Sequence, residues 1–170
     1  MLIEISRLRG LPLASSSEEA HIGTIDETLI HPDTGEIIGF WVKQPGLFAE
    51  RKALSSRDVI SYDSRALVAS SLDALVSPDD VQPFKGVVKR NERWIGKAVE
   101  TEAGDRLGKV SDVVVDTDLE RLTKLHVSSL FGPDRILSRE TIVRTTPQKI
   151  IVQNSFEQTV VPVITAEVAV

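Results

Sequence analysis

Hydrophobic positions along this chain come in short runs bounded by turn residues, not in stripes at the helical period. Gly108-Lys109-Val110-Ser111-Asp112-Val113-Val114-Val115 and Ala66-Leu67-Val68-Ala69 are clear examples. In Phe40-Trp41-Val42, the two-residue period of a strand puts Phe40 and Val42 on one face and Trp41 on the other. Ala103-Gly104-Asp105 and His31-Pro32-Asp33-Thr34-Gly35 carry hairpin-type turn chemistry, since glycine reaches φ > 0 and proline has a preset φ. Residue choice agrees: Val 20 and Ile 14 outnumber Leu 16 by two to one, and Thr adds 11, the side chains that suit a pleated surface. The pattern predicts an all-β chain. Its one helix candidate, residues 71–76, runs into Pro78 and Pro83, which makes it a short connecting helix.

The same pattern occurs twice. Gly23-Thr24-Ile25-Asp26-Glu27-Thr28-Leu29-Ile30 aligns with Gly108 to Val115 at an offset of 85, which also sets Ile37 on Leu122, Phe40 on Leu125, Val42 on Val127 and, upstream, Leu13 on Ala98. Beyond the next loop the offset is 83, with Leu47-Phe48 on Leu130-Phe131, Leu54-Ser55 on Leu137-Ser138, Val59-Ile60 on Ile142-Val143 and Leu67-Val68 on Ile150-Ile151. The first copy therefore carries two extra residues in that loop, assigned to Pro45-Gly46. A period of this length marks duplication of a whole structural unit. The division is 1–77 for the first copy, 78–90 for a linker, 91–154 for the second copy and 155–170 for a C-terminal strand or tail.

Each copy reads as a leading strand, a turn, Gly-x-[Ile/Val]-x-[Asp/Glu] entering a strand, a second apolar strand, a variable loop, then Leu-Ser and an acid-bearing turn before the last strands. This order resembles the PRC-barrel family, small β-barrels known from photosynthetic reaction centres and from a ribosome maturation factor. The resemblance implies two tandem small PRC-type β-barrels and an adaptor role in a protein or RNA-containing assembly. The chain is expected to depart from both of these members, with neither a membrane anchor nor a separate N-terminal domain. Size favours packing the copies together, because a unit of about 60 residues is marginal alone and one near 150 is not. The apolar tail from Thr159 to Ile164 is expected to cover the body or a second copy of the chain, giving a possible homo-oligomer.

Charge and composition narrow the chemistry. The net charge is -5, and with Cys 0 there is no disulfide, thiol catalysis or Cys-ligated metal. Basic residues are in no excess in either half, so direct nucleic-acid binding is not expected; the short basic cluster Lys89-Arg90-Asn91-Glu92-Arg93 reads as solvated linker. No apolar run approaches a membrane span, and the start lacks a signal peptide, so a cytoplasmic location without membrane insertion is expected. His21, His31 and His126 stand at unrelated points with no partner at ligand spacing. Asp116-Thr117-Asp118-Leu119-Glu120 fails as a calcium loop because Arg121 and Val127 occupy the glycine and closing-glutamate positions. Serines are common, but there is no Gly-x-Ser-x-Gly elbow and little histidine to act as base. Asp26 and Glu27, adjacent on a strand, should point to opposite faces and so not act together.

Neither a catalytic site nor a metal or other cofactor is therefore expected, and the chain reads as a non-enzymatic adaptor for an unidentified protein. Two alternatives stay open: a ribosome or RNA-processing assembly factor, or an accessory of photosynthetic electron transfer. Candidate partner-binding residues are the outward Trp41 and its equivalent His126, and the loop pairs Leu47-Phe48 and Leu130-Phe131. Each has a competing structural role, since Trp41 could be covered by the other copy or the tail and the Leu-Phe pairs could plug the barrels. Trp94 is assigned to packing between the copies.

Overall fold

The computed structural model describes residues 1–46, 50–77, 80, 86, 93–155 and 159–160. The chain begins with β1 (Leu2–Glu4) and one short helix, α1 (Ile5–Leu8). The first half continues as β2 (Pro12–Ser15), β3 (Ala20–Ile30), β4 (Ile37–Lys43), β5 (Arg51–Ser55), β6 (Val59–Tyr62), β7 (Leu67–Ala69) and β8 (Leu75–Val76). The second half holds β9 (Ala98–Thr101), β10 (Arg106–Asp116), β11 (Arg121–Ser128), β12 (Arg135–Ser138), β13 (Ile142–Thr145), β14 (Lys149–Val152) and β15 (Thr159–Val160). The fold is all-β, as the run lengths predict.

The two halves have one topology. Strand order is β6-β7-β2-β3-β4-β5-β8 in the first and β13-β14-β9-β10-β11-β12-β15 in the second. Each curled sheet contains a single parallel pair, β2 with β7 and β14 with β9. Registers repeat residue by residue: Ile25 faces Val42 as Val110 faces Val127, and Glu27 faces Trp41 as Asp112 faces His126. Both long strands carry register breaks at equivalent points, between Ile25 and Glu27 and between Val110 and Asp112. After the variable loop, Val59 faces Ala69 as Ile142 faces Val152, on the offset of 83.

Three expectations need correction. Leu13 corresponds to Val99 and not to Ala98: Leu13 faces Gly23 as Val99 faces Gly108, because the first hairpin holds one more residue between β2 and β3. The segment 71–76 is not a helix of its own length. Residues Leu72–Ala74 form a 3-10 turn, and the β-formers Leu75 and Val76 leave it to pair with Leu54 and Ala53. Finally, the tail does not begin outside the second copy. Thr159 faces Ile136 as Val76 faces Ala53, so β15 is the counterpart of β8; residues 161–170 lie outside the described ones.

One apolar core runs through both halves. Leu13, Ile25, Phe40, Val42, Leu54 and Leu67 from the first half join Val99, Val110, Leu125, Val127, Leu137 and Ile150 from the second in a single cluster of buried side chains. The halves meet through the β3–β4 and β10–β11 turns. Ile37 N–H donates to the Glu120 carbonyl at 2.8 Å and Leu122 N–H to the Gly35 carbonyl at 2.8 Å, a reciprocal pair between equivalent residues about a pseudo-two-fold axis. Glu36 and Arg121, also equivalent, face each other in a bridge and form an ion pair at 3.3 Å. The N-terminal segment crosses over, so that Leu2, Ile3 and Glu4 pair with Asp116, Val115 and Val114 of β10.

The glycine of the repeated Gly-x-[Ile/Val]-x-[Asp/Glu] motif has a steric cause. A Cβ on Gly23 would lie 2.9 Å from the Lys43 carbonyl oxygen, and one on Gly108 would overlap the equivalent Ser128 carbonyl oxygen. Gly108 also sits at φ +137, where side chains are strained. Alanine at either position should therefore part the two longest strands of its half and lower stability by at least about 2 kcal/mol. Gly132→Ala, without positive φ and with its nearest neighbour the Ser129 hydroxyl at 3.3 Å, a side-chain oxygen that can rotate aside, should change it by under about 0.5 kcal/mol. Urea unfolding of the three variants checks this.

Candidate functional site

The register break in β3 leaves Asp26 as the extra residue of a β-bulge, two residues facing one on the partner strand. This overturns the expectation that Asp26 and Glu27 diverge: Nη2 of Arg51 lies 2.7 Å from Asp26 Oδ2 and 2.8 Å from Glu27 Oε2, so one nitrogen bridges both carboxylates. Strict alternation fails at a bulge, and the adjacent acids share a face. Lys43 Nζ is 3.0 Å from Asp26 Oδ1, Arg9 Nη2 is 3.9 Å from the same oxygen, and Arg93 Nε is 3.4 Å from Glu27 Oε1. Asp26 is only 11% exposed. Burial alone would push its carboxyl up, but Lys43, Arg51 and Arg9 outweigh that and hold it below the ordinary value of 3.8.

These groups surround a cleft of about 430 Å³ whose other walls include Ile5, Leu29 and Trp94. Arg51 is held in place from behind. Its position two residues before Ala53, which faces Trp41, puts its guanidinium over the Trp41 ring at 4.5 Å from the centroid. The basic members Arg9, Lys43, Arg51 and Arg93 come from four separated stretches of chain, which is why no local motif announced them. Comparing the two copies would have found three contributors, since Asp26, Lys43 and Arg51 stand where the second half has Ser111, Ser128 and Asp134.

The predicted partner-binding residues are not brought together. Trp41 faces outward, opposite to Phe40 and Val42, but is half-buried against Leu29 and Ala53. His126 occupies the equivalent outward place, with Nδ1 3.5 Å from Glu4 Oε1. Leu130 and Phe131 stand fully in water, at 93% and 101% exposure, so they do not plug the second barrel. Their loop is nevertheless tied down: Ser129 N–H donates to Asp134 Oδ1 at 3.3 Å, and Arg135 Nη1 donates to the carbonyls of Pro133 and Leu107 at 3.1 and 3.2 Å. Leu47 and Phe48 lie outside the described residues.

Other singled-out groups have local partners. Trp94 is buried and donates its indole N–H to the Ile30 carbonyl at 3.3 Å, across the boundary between the halves. Asp116 and Asp118 of the acidic turn contact the Met1 ammonium at 3.4 and 2.6 Å. Glu120, at φ 48 in that turn, accepts the Tyr62 hydroxyl at 3.0 Å; burial and this carboxylate push the phenol well above its usual range. His31 Nδ1 accepts the Asp33 and Thr34 amides at 3.2 Å and caps its own turn. Among the described residues, no group of three His, Asp or Glu side chains is placed to hold a metal ion, and no helix is long and apolar enough to cross a membrane.

Because the folded pKa of Asp26 is depressed, its contribution to stability is present above about pH 4 and is lost as pH falls through the folded value. Asp26→Asn should thus destabilise the chain by about 1 to 2 kcal/mol at pH 7, the value for charged hydrogen bonds discounted for exposed cations. The difference from the native chain should shrink below about pH 4 and vanish at lower pH. Melting both proteins across pH 2.5 to 7 measures it.

A search of curated proteins returned no match. A comparison with protein-family profiles returned the PRC-barrel domain over residues 87–158. That span holds β9 to β14 and continues beyond them, and its pattern of strands and turns is the one the repeat predicts. The second half of the chain contains a PRC-barrel domain.

Proposed function

We propose that the chain is a non-enzymatic adaptor of two PRC-type barrels, the first a diverged copy of the second, and that it binds another protein through the loop carrying Leu130 and Phe131. The shared strand order and registers support the duplication. The observation that carries the binding role is the exposure of Leu130 and Phe131 at 93% and 101% on a loop whose base is held by Asp134 and Arg135. A fully hydrated Leu-Phe pair contributes nothing to the fold, whereas an ordered loop presents it at little entropic cost on association. Large apolar side chains buried on binding usually dominate an interface. A PRC-barrel domain is compatible with such an assembly role.

The test is Leu130→Ser with Phe131→Ser in the full chain, comparing the proteins that co-purify with it and with the native chain. Stability should stay within about 0.5 kcal/mol, the usual range for surface changes. Recovery of the specific partner should fall by about tenfold or more. Unchanged recovery sinks the docking role. A strongly destabilised variant would mean that the pair packs against the barrel instead.

A further inference from the structure

From the cleft beside Asp26 we infer a second, small-molecule site, separate from the Leu130 loop: it takes a phosphate monoester with an apolar body. Among the described residues the cleft is lined by four cations, Arg9, Lys43, Arg51 and Arg93, against two carboxylates, Asp26 and Glu27. Four less two leaves a local charge of about +2 in a chain whose net charge is -5. A phosphate monoester carries about -1.5 to -2 at neutral pH and matches it. Arg51 is committed to both carboxylates and to the Trp41 ring. Arg9 and Arg93 are not: their ion-pair contacts are 3.9 and 3.4 Å, and both guanidinium groups keep N–H donors for bidentate contact with phosphate oxygens.

The second half supports a ligand as well. At the equivalent positions it has Val113 for Thr28, Ser111 for Asp26, Ser128 for Lys43 and Asp134 for Arg51, yet it forms the same sheet with the same bulge. The topology therefore does not need the cluster. The volume, about 430 Å³, is that of a small-molecule pocket and larger than phosphate alone requires. Its apolar side, Leu29, Trp94 and the 46%-exposed Ile95, accounts for the excess.

Calorimetric titration of the full chain tests this with phenyl phosphate, inorganic phosphate and the monoanionic phenyl sulfate. Saturable one-to-one binding of phenyl phosphate is expected, tighter than that of either other probe by at least about threefold. Arg9→Gln with Arg93→Gln, both on exposed side chains, should keep the native melt and weaken phenyl phosphate by about tenfold or more, the value of lost charge-assisted hydrogen bonds. No saturable heat up to about 10 mM, a concentration at which even millimolar sites fill, would overturn the site. So would binding indifferent to the two arginines, or phenyl sulfate binding as tightly as phenyl phosphate.

Discussion

Two hydrogen bonds of 2.8 Å, from Ile37 to the Glu120 carbonyl and from Leu122 to the Gly35 carbonyl, fix how the halves of this protein meet. Each joins the hairpin of one half to the equivalent hairpin of the other, and the Glu36–Arg121 pair sits between them. That junction lets two small sheets share a single buried cluster. Each alone would be near the size at which a β-unit buries too little surface to be stable. The crossing of β1 onto β10 and the Tyr62–Glu120 hydrogen bond follow from the same arrangement. So does the burial of Trp94, whose indole reaches the first half at Ile30.

The repeated topology also separates what the fold requires from what it merely permits. Gly23 and Gly108 are kept because a carbonyl of the neighbouring strand passes where a side chain would be. Inward residues are kept apolar in both copies, as in Phe40 and Leu125 or Val42 and Val127. Outward and bulge positions have diverged. Cations surround Asp26 and Glu27 of the first half, with Arg93 reaching across from the second, while the second half has Ser111 in place of Asp26 and sets Leu130 and Phe131 in open water. The two candidate sites thus fall where the shared architecture imposes no residue.

Much of the architecture was legible in the sequence because apolar period and turn chemistry are local. The offsets of 85 and 83 located the paired strands and the loop where the copies differ in length. What was missed depended on contacts distant in sequence. The extra residue of the first hairpin shifted Leu13 from Ala98 to Val99, a slip that apolarity alone does not resolve. Leu75 and Val76 follow a 3-10 turn and read as helix until Ala53 and Leu54 are seen beside them. The convergence of Asp26 and Glu27 depended on a bulge, which breaks the two-residue period on which the opposite reading rested. The outward side of Trp41 was readable from Phe40 and Val42. Its cover, and the cation above it, were not.

The account stands on the halves forming one cooperative unit through the turn–turn junction. Native-state hydrogen exchange of the Ile37 and Leu122 amides measures this directly. Both should open only with global unfolding, at the same free energy as core amides such as Ile25 of β3 and Val110 of β10, which donate to the Leu11 and Lys97 carbonyls at 2.9 Å. If instead the two junction amides exchange through a low-energy opening while the strand amides stay protected, or if the two halves lose protection at different free energies, the halves are independent and the central claim is wrong.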